Sequence, residues 1–320
     1  MSRYVPLIEV VRGSVDESQH SGAVALLSSA GELVGSLGAV DVAMYPRSTV
    51  KLVQAAAMVD LGLELSPRHL ALVASSHSGG DAHVQGVEEI FAQYKIPTSF
   101  LKCTPLLPLG GAEKEAYLKT GGGPVSLRAD CSGKHVGFLA TCIINGWSTD
   151  DYLSPEHPLQ IAIKSAIEKA SGDSAANTTI DGCGAPLWTI TLAGLAKIYH
   201  RAVTENETSL RLVADAMREF PEMVGGPHRE ATIAMQSVPG VVAKDGADGV
   251  FVAARSDGVS IAFKIGDGGR RGLTAATEAV LKAWGATDLA GLPLAPPQGA
   301  GRTVGELRPS PEFVALLARS

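Results

Sequence analysis

The sequence carries little charge and concentrates none of it. Lysine, arginine, aspartate and glutamate make up 19% of its 320 residues and the formal net charge is −6. No basic run is present, which excludes nucleic acid as an expected partner. No stretch is long and apolar enough to cross a bilayer, so no membrane partner is expected either. The first residues, Met1-Ser2-Arg3-Tyr4-Val5-Pro6, lack the apolar core of a signal peptide, and a cytoplasmic location is expected. Cysteine is scarce: Cys103, Cys131, Cys142 and Cys183 are all there are, and no C-x-x-C spacing occurs. In a reducing compartment these are free thiols or ligands and not a disulfide frame. No internal repeat is visible.

What the chain does have is bulk and turns. Hydrophobic residues make up 45% of it, enough for a sizeable core in one large domain or two lobes. The 36 glycines imply tight turns and close backbone approaches. Alternation and turn signals predict strands over 5–12, 22–28 and 32–37. They predict three more over 241–244, 249–254 and 258–266, the first two joined by the D-G turn Asp245-Gly246-Ala247-Asp248. Helical periodicity fills the middle, over 48–62, 67–75, 82–94, 112–119, 132–145, 156–171 and 208–219. Pro186 is expected to open a further helix over 187–203. A helix over 271–284, a Pro/Gly linker from Leu292 to Gly301 and a short terminal helix close the chain. The expected fold class is α/β of the α+β kind: an antiparallel sheet built from both termini, with a helical lobe inserted. The sheet lobe would take about 1–45 and 240–320, and the helical lobe about 46–239.

Chemistry concentrates at Tyr45-Pro46-Arg47-Ser48-Thr49-Val50-Lys51. Ser48 and Lys51 stand three apart where a loop becomes an apolar helix, so hydroxyl and amine share a face. Serine becomes a nucleophile when a neighbouring base takes its proton, and a lysine desolvated by apolar surroundings can be that base. S-x-x-K is also the serine–lysine signature of penicillin-binding and β-lactamase chemistry, whose enzymes share the sheet-plus-helices plan. A serine at a helix start also serves simply as an N-cap. Lys264-Ile265-Gly266 is similar to the K-[ST]-G element of those enzymes, but no S-D-N element appears; Ser132-Gly133-Lys134 stands in its place. The loop Ser75-Ser76-His77-Ser78-Gly79-Gly80-Asp81 gathers hydroxyls, an imidazole and glycines, which suits close approach of backbone to a ligand. Asp130-Cys131-Ser132-Gly133-Lys134-His135 sits at a helix start, where free N–H groups favour anions. Cys131 and Cys183, about fifty residues apart, could bind zinc together with Lys134 or His135; isolated cysteines also serve as small core residues.

Collected, these motifs resemble the thermolabile, serine–lysine L-asparaginases of the Rhizobium type. The resemblance runs through Glu9-Val10-Val11-Arg12-Gly13, Glu17-Ser18-Gln19-His20, Tyr45-Pro46-Arg47-Ser48 with Lys51, and Ala74-Ser75-Ser76-His77-Ser78-Gly79. It continues through Cys131-Ser132-Gly133-Lys134-His135, Asp181-Gly182-Cys183-Gly184, and Lys264 with Asp267-Gly268. It implies a serine β-lactamase-like fold, a homodimer, and a small amino acid amide, L-asparagine, as substrate. Ser48 would be the nucleophile beside Lys51, and Ser78 with Lys264 a second serine–lysine pair. Arg47, Gly79, His135 and Asp181 would line the substrate site. Cys131, Lys134 and Cys183 would hold a zinc ion that does not perform the chemistry. Three positions depart from the family pattern: Leu52 replaces a proline, Gly80 an acidic residue, and Thr104-Pro105-Leu106 a stretch ending in histidine. Competing readings are a glutaminase or β-lactam hydrolase of the same fold, and an amino-acid-binding protein without turnover.

Overall fold

The computed structural model describes residues 3–320. The chain divides into two compact units. The first takes the residues through Thr49, Ile190–Thr204 and His228–Ser320; the second takes Val50–Thr189 and Glu205–Pro227.

The first unit is built on a seven-stranded sheet. Its order is Gly305–Pro309, Val5–Arg12, Val15–Leu27, Ser260–Ile265, Val250–Ala254, Val242–Gly246, and Leu33–Leu37 also pairs with Val15–Leu27. Every pairing is antiparallel, so strands from both ends of the chain close one sheet. Val15–Leu27 is long because its start pairs with Val5–Arg12 while its end pairs with Leu33–Leu37 and Ser260–Ile265. Val250–Ala254 is buried at every position, as a strand covered on both faces must be. The helices Leu192–Thr204 and Arg270–Ala283 both pack on it. In register across the sheet, Phe251 stacks on Phe263 with ring centroids 5.2 Å apart.

Three expectations are corrected here. Pro186 opens no helix: Pro186–Trp188 is a strand paired with Thr178–Ile180, and the helix begins at Leu192. The run Leu187-Trp188-Thr189-Ile190-Thr191 is β-branched and aromatic, which favours extended backbone. Thr191 then accepts a hydrogen bond from Gly194 N at 2.9 Å, as a helix-start residue does. The linker after Leu292 does not lead straight to the last helix, since Gly305–Pro309 first adds an edge strand against Val5–Arg12. Finally, 190–204 and 228–239 group with the sheet and not with the helical unit, because the helices there, Leu192–Thr204 and Glu230–Ser237, pack against strands.

The second unit is helical. Ser132–Asn145 runs through it with every residue from Ser132 to Cys142 buried. Gly133 and Gly137, on one face, let Pro67–Val73 approach: a methyl at Gly133 would lie 2.3 Å from Leu72 O, and one at Gly137 would lie 2.8 Å from Val73 Cγ1. Helix ends are set locally. Ser66 caps Pro67–Val73 and Thr208 caps Ser209–Glu219 through side-chain hydrogen bonds, and Gly146 stops Ser132–Asn145 at φ 66°. Among the described residues no helix is long and apolar enough to cross a membrane.

Candidate active site

In the sheet unit, Ser48 lies in the short turn Arg47–Val50 that precedes the helix Lys51–Asp60. The turn is held from several sides. Thr49 Oγ1 donates to Pro46 O at 2.6 Å, and Tyr199 Oη donates to Thr49 O at 2.9 Å. Strand-end residue Gly246 presses so closely that a methyl there would lie 3.3 Å from both Ser48 N and Pro46 O. Ser48 is 8% exposed. Arg47 adopts φ 53°, left-handed for a residue with a Cβ, and forms an ion pair with Asp248, itself at φ 56°. Backbone strain of this kind persists where surrounding contacts over-determine it. Lys264 Nζ donates to the Asp248 carbonyl at 2.6 Å. Asp248 therefore joins Arg47 and Lys264, a role invisible in the D-G turn that announces it. Burial holds the Lys264 amine below its ordinary range; Asp248 opposes this, while Arg3 and Arg47 add to it.

In the helical unit a second cluster forms, wholly buried. Lys51, 1% exposed, donates to Ser75 O at 2.6 Å, Ser76 Oγ at 2.9 Å and Cys131 Sγ at 3.0 Å. The serine on Lys51 is thus Ser76, which the spacing argument passed over. Ser78 Oγ instead donates to Gly225 O at 2.7 Å. His77 is fixed by Gly79 N, which donates to Nδ1 at 3.1 Å, and by Ser132 Oγ, 2.9 Å from Nε2. The Gly79 N–H is therefore already engaged.

Around Cys131 the thiol chemistry is paired. Lys134 Nζ lies 3.3 Å from Cys183 Sγ. A hydrogen bond from Cys131, with Lys134 and His135 beside it, outweighs burial, holds the Cys183 thiol far below its ordinary range and makes it the thiolate of the pair. Cys131 is correspondingly pushed up, first by sharing that hydrogen bond and then by burial. Burial works against a charged Lys134, but Cys183, Cys131 and Asp181 outweigh it and raise its value. His135 is depressed by burial; its Nδ1 is 3.0 Å from Tyr152 Oη. Its buried Nε2 finds no partner at bonding geometry, although Cys183 is close enough to oppose the effect of burial. Asp181 sits at the edge, accepting from Gly182 N at 2.9 Å in the turn that presents Cys183. Among the described residues no group of three or more His, Cys, Asp or Glu side chains gathers at one point. The donors that do meet are two sulfurs and the Lys134 amine. Cys103 and Cys142, each raised by burial to about 12, are inert core thiols.

The geometry thus brings Arg47 and Lys264 together through Asp248. It brings Lys51, Cys131, Cys183, Lys134, His135 and Asp181 together in the helical unit, with Gly79 in the same loop as Ser76.

The L-asparaginase II family profile matches residues 8–309. The chain belongs to the L-asparaginase II family. No curated protein gives a significant match. Among solved structures, a β-lactamase from Mycobacterium bovis shares 15% identity at a TM-score of 0.44, covering 82% of this chain and 94% of that one. A putative β-lactamase from Bacteroides dorei shares 15% at 0.42, covering 76% and 84%. A Bacillus glutaminase shares 12% at 0.39, covering 77% and 83%.

Proposed function

We propose that this L-asparaginase II family member is an amidohydrolase whose substrate is L-asparagine, cleaved to aspartate and ammonia. The observation that carries the reading is Lys51: a buried amine whose partners are a serine hydroxyl, a carbonyl and a thiol. An amine fixed in this way is placed to exchange a proton with a hydroxyl beside it. Ser48 Oγ attacks the side-chain amide carbon and Lys51 takes its proton. The C–N bond breaks as that proton passes to the leaving nitrogen, giving ammonia and an acyl-serine. Water then adds to the acyl carbon, its proton returning through Lys51 to the serine, and aspartate leaves. Lys264, held below its ordinary range by burial and bound to the Asp248 carbonyl, would act as the second amine of the reaction.

A second assignment, with Ser76 as nucleophile, is favoured by its 2.9 Å contact with Lys51. Ammonia release from Ser48→Ala and Ser76→Ala, with peptide mass mapping of an electrophilic asparagine analogue, separates the two. Near-normal turnover by Ser48→Ala would refute the first. A glutamine and chromogenic β-lactam assay alongside tests the glutaminase and β-lactamase alternatives, and binding without ammonia release would favour a sensor.

The same proposal includes zinc at Cys131, Lys134 and Cys183. Two adjacent thiols in a dry site are the soft donors zinc prefers, and the Lys134 amine would join them on losing its proton. The ion would supply a fixed clamp between the two thiol-bearing segments. Elemental analysis should find zinc in wild type and little in Cys131→Ser/Cys183→Ser; equal content in both would remove the site. The homodimer belongs to the proposal as well, and sedimentation tests it.

A further inference from the structure

His20 has no step in the proposed hydrolysis, yet the sheet unit buries its imidazole. On the strand Val15–Leu27 the residues from Val15 to Gln19 are exposed, and His20, 8% exposed, is the first one buried. Both ring nitrogens are engaged. Arg271 Nε lies 3.1 Å from Nε2, and a guanidinium N–H only donates, so Nε2 accepts and Nδ1 carries the ring's hydrogen. Nδ1 gives that hydrogen to Asp267 Oδ2 at 2.8 Å. The helix Arg270–Ala283 closes on the ring: a methyl at Gly272 would lie 2.7 Å from His20 Cγ. The place of the ring and the side that donates are therefore both set, as a group that holds another requires.

Asp267 passes the constraint on. Its other oxygen accepts from Gly269 N at 2.7 Å, in the turn that follows Ser260–Ile265. Burial alone would raise its carboxyl, but the Gly269 N–H and His20 hold it below its ordinary range. The next residue, Gly268 at φ 71°, meets the Asp248-Gly249 turn backbone to backbone. A methyl at Gly268 would lie 3.2 Å from Asp248 Cα, and one at Gly249 would lie 3.2 Å from Gly268 Cα. Ile265 ties the two turns: its N–H donates to Gly249 O at 2.8 Å and its carbonyl accepts from Gly268 N at 3.1 Å. On its far side Asp248 holds Lys264 Nζ with its carbonyl and Arg47 with its carboxylate. The contacts that begin at His20 therefore end on Lys264 and Arg47.

We propose that His20 is the positioning residue of Lys264 and Arg47: with Arg271 it fixes Asp267, and through Gly268 the Asp248 turn on which both cations rest. The amidohydrolase reading enters only for the effect on turnover. His20→Phe keeps a ring against Gly272 and removes the donor, whereas His20→Asn keeps a donor where Nδ1 stood. Acetic anhydride pulses across a pH range, with peptide mass mapping, read the titration midpoint of Lys264 without any turnover. Burial is the largest cause of its depression; Asp248 and Asp267 raise it, and Arg3 and Arg47 lower it further. In His20→Phe the Asp248 turn loosens and water reaches the amine. The midpoint should then climb towards the ordinary 10.5, by about 0.5 or more, and stay near the wild-type value in His20→Asn. Ammonia release should fall about tenfold in His20→Phe and recover in His20→Asn. Arg271→Met, which leaves the ring in place and frees Nε2 to compete for the hydrogen, should move Lys264 the same way by less. A folded His20→Phe with the wild-type midpoint, or His20→Asn behaving as His20→Phe does, overturns the proposal. Where His20→Phe does not fold, an unmoved midpoint in Arg271→Met overturns it. A moved midpoint with ammonia release unchanged leaves His20 in this role and removes Lys264 from the reaction.

Discussion

Asp245 is the residue whose charge the sheet unit can least spare. It is the last residue but one of the strand Val242–Gly246, next to the glycine that presses on the Ser48 turn. Its side chain is 2% exposed and ion-paired to Arg229, itself 9% exposed. Lys244, fully buried, sits 3.6 Å from the other carboxylate oxygen and donates to the Asp245 carbonyl at 2.6 Å. Asp245→Asn keeps the shape and removes the charge, leaving two buried cations facing each other. Breaking a buried pair from one side costs about 3–5 kcal/mol. That is a large part of the roughly 5–15 kcal/mol by which a folded protein is stable. The sign of the pH dependence follows from the shift. Burial alone would raise the Asp245 carboxyl, but Arg229, Lys244 and Arg270 hold it far below its ordinary 3.8. A depressed folded-state value gives stability that is complete above 3.8 and is lost as pH falls through the acid range below it. The gap between wild type and variant should therefore be full at neutral pH and smaller by about 1.4 kcal/mol one pH unit below that value. Urea unfolding, read by hydrogen exchange in Val250–Ala254, measures it. Arg229→Met in the same background completes a double-mutant cycle and should recover part of the loss, since it removes one of the stranded cations. A neutral-pH loss under about 1 kcal/mol, or a gap that widens on acidification, would refute the reasoning.

Two further outcomes follow from the packing and the charges. Gly133→Ala drives a methyl into the Leu72 carbonyl, 2.3 Å away, and a backbone oxygen cannot swing aside; a loss of about 1–3 kcal/mol is expected and thermal melting reads it. Lys264 is depressed, so its charged form is disfavoured in the fold; stability should rise as pH climbs from the folded value towards the ordinary 10.5. Lys264→Met should flatten that alkaline rise in melts taken across the range, and an unchanged slope would place the effect elsewhere.

Much of the sheet could be read from local pattern. Val5–Arg12 and Ser260–Ile265 announce themselves by β-branched and apolar residues, and the D-G turn fixes their neighbour's hairpin. What escaped was decided by distant contacts. Gly305-Glu306-Leu307-Arg308-Pro309 offers one apolar residue among charges, and it becomes a strand because Val10 pairs with Leu307 from the other end of the chain. Leu192–Thr204 is helical in sequence, but its membership of the sheet unit depends on the strands it covers. Nothing within the helix states that.

The site shows where spacing stops being informative. Ser48 and Lys51 stand three apart, which says that they could meet, but a lysine side chain is long enough to look elsewhere. A buried amine seeks a polar partner on every side. Lys51 finds them in Ser75 O, Ser76 Oγ and Cys131 Sγ, none of them near it in sequence. The loop offers serines at 75, 76 and 78, and composition cannot rank them. The turn after Pro67–Val73 does: it aims the backbone of one and the hydroxyl of the next at the lysine, then turns the third towards Gly225. Donor satisfaction, more than helical spacing, therefore selects the serine that touches the amine. The same rule links the hydroxyl chemistry to the thiols, because the third partner of Lys51 is Cys131. Substituting Cys131 must then disturb Lys51 as well as any metal, whereas Lys134, which faces Cys183, can be changed without touching the Lys51 contacts.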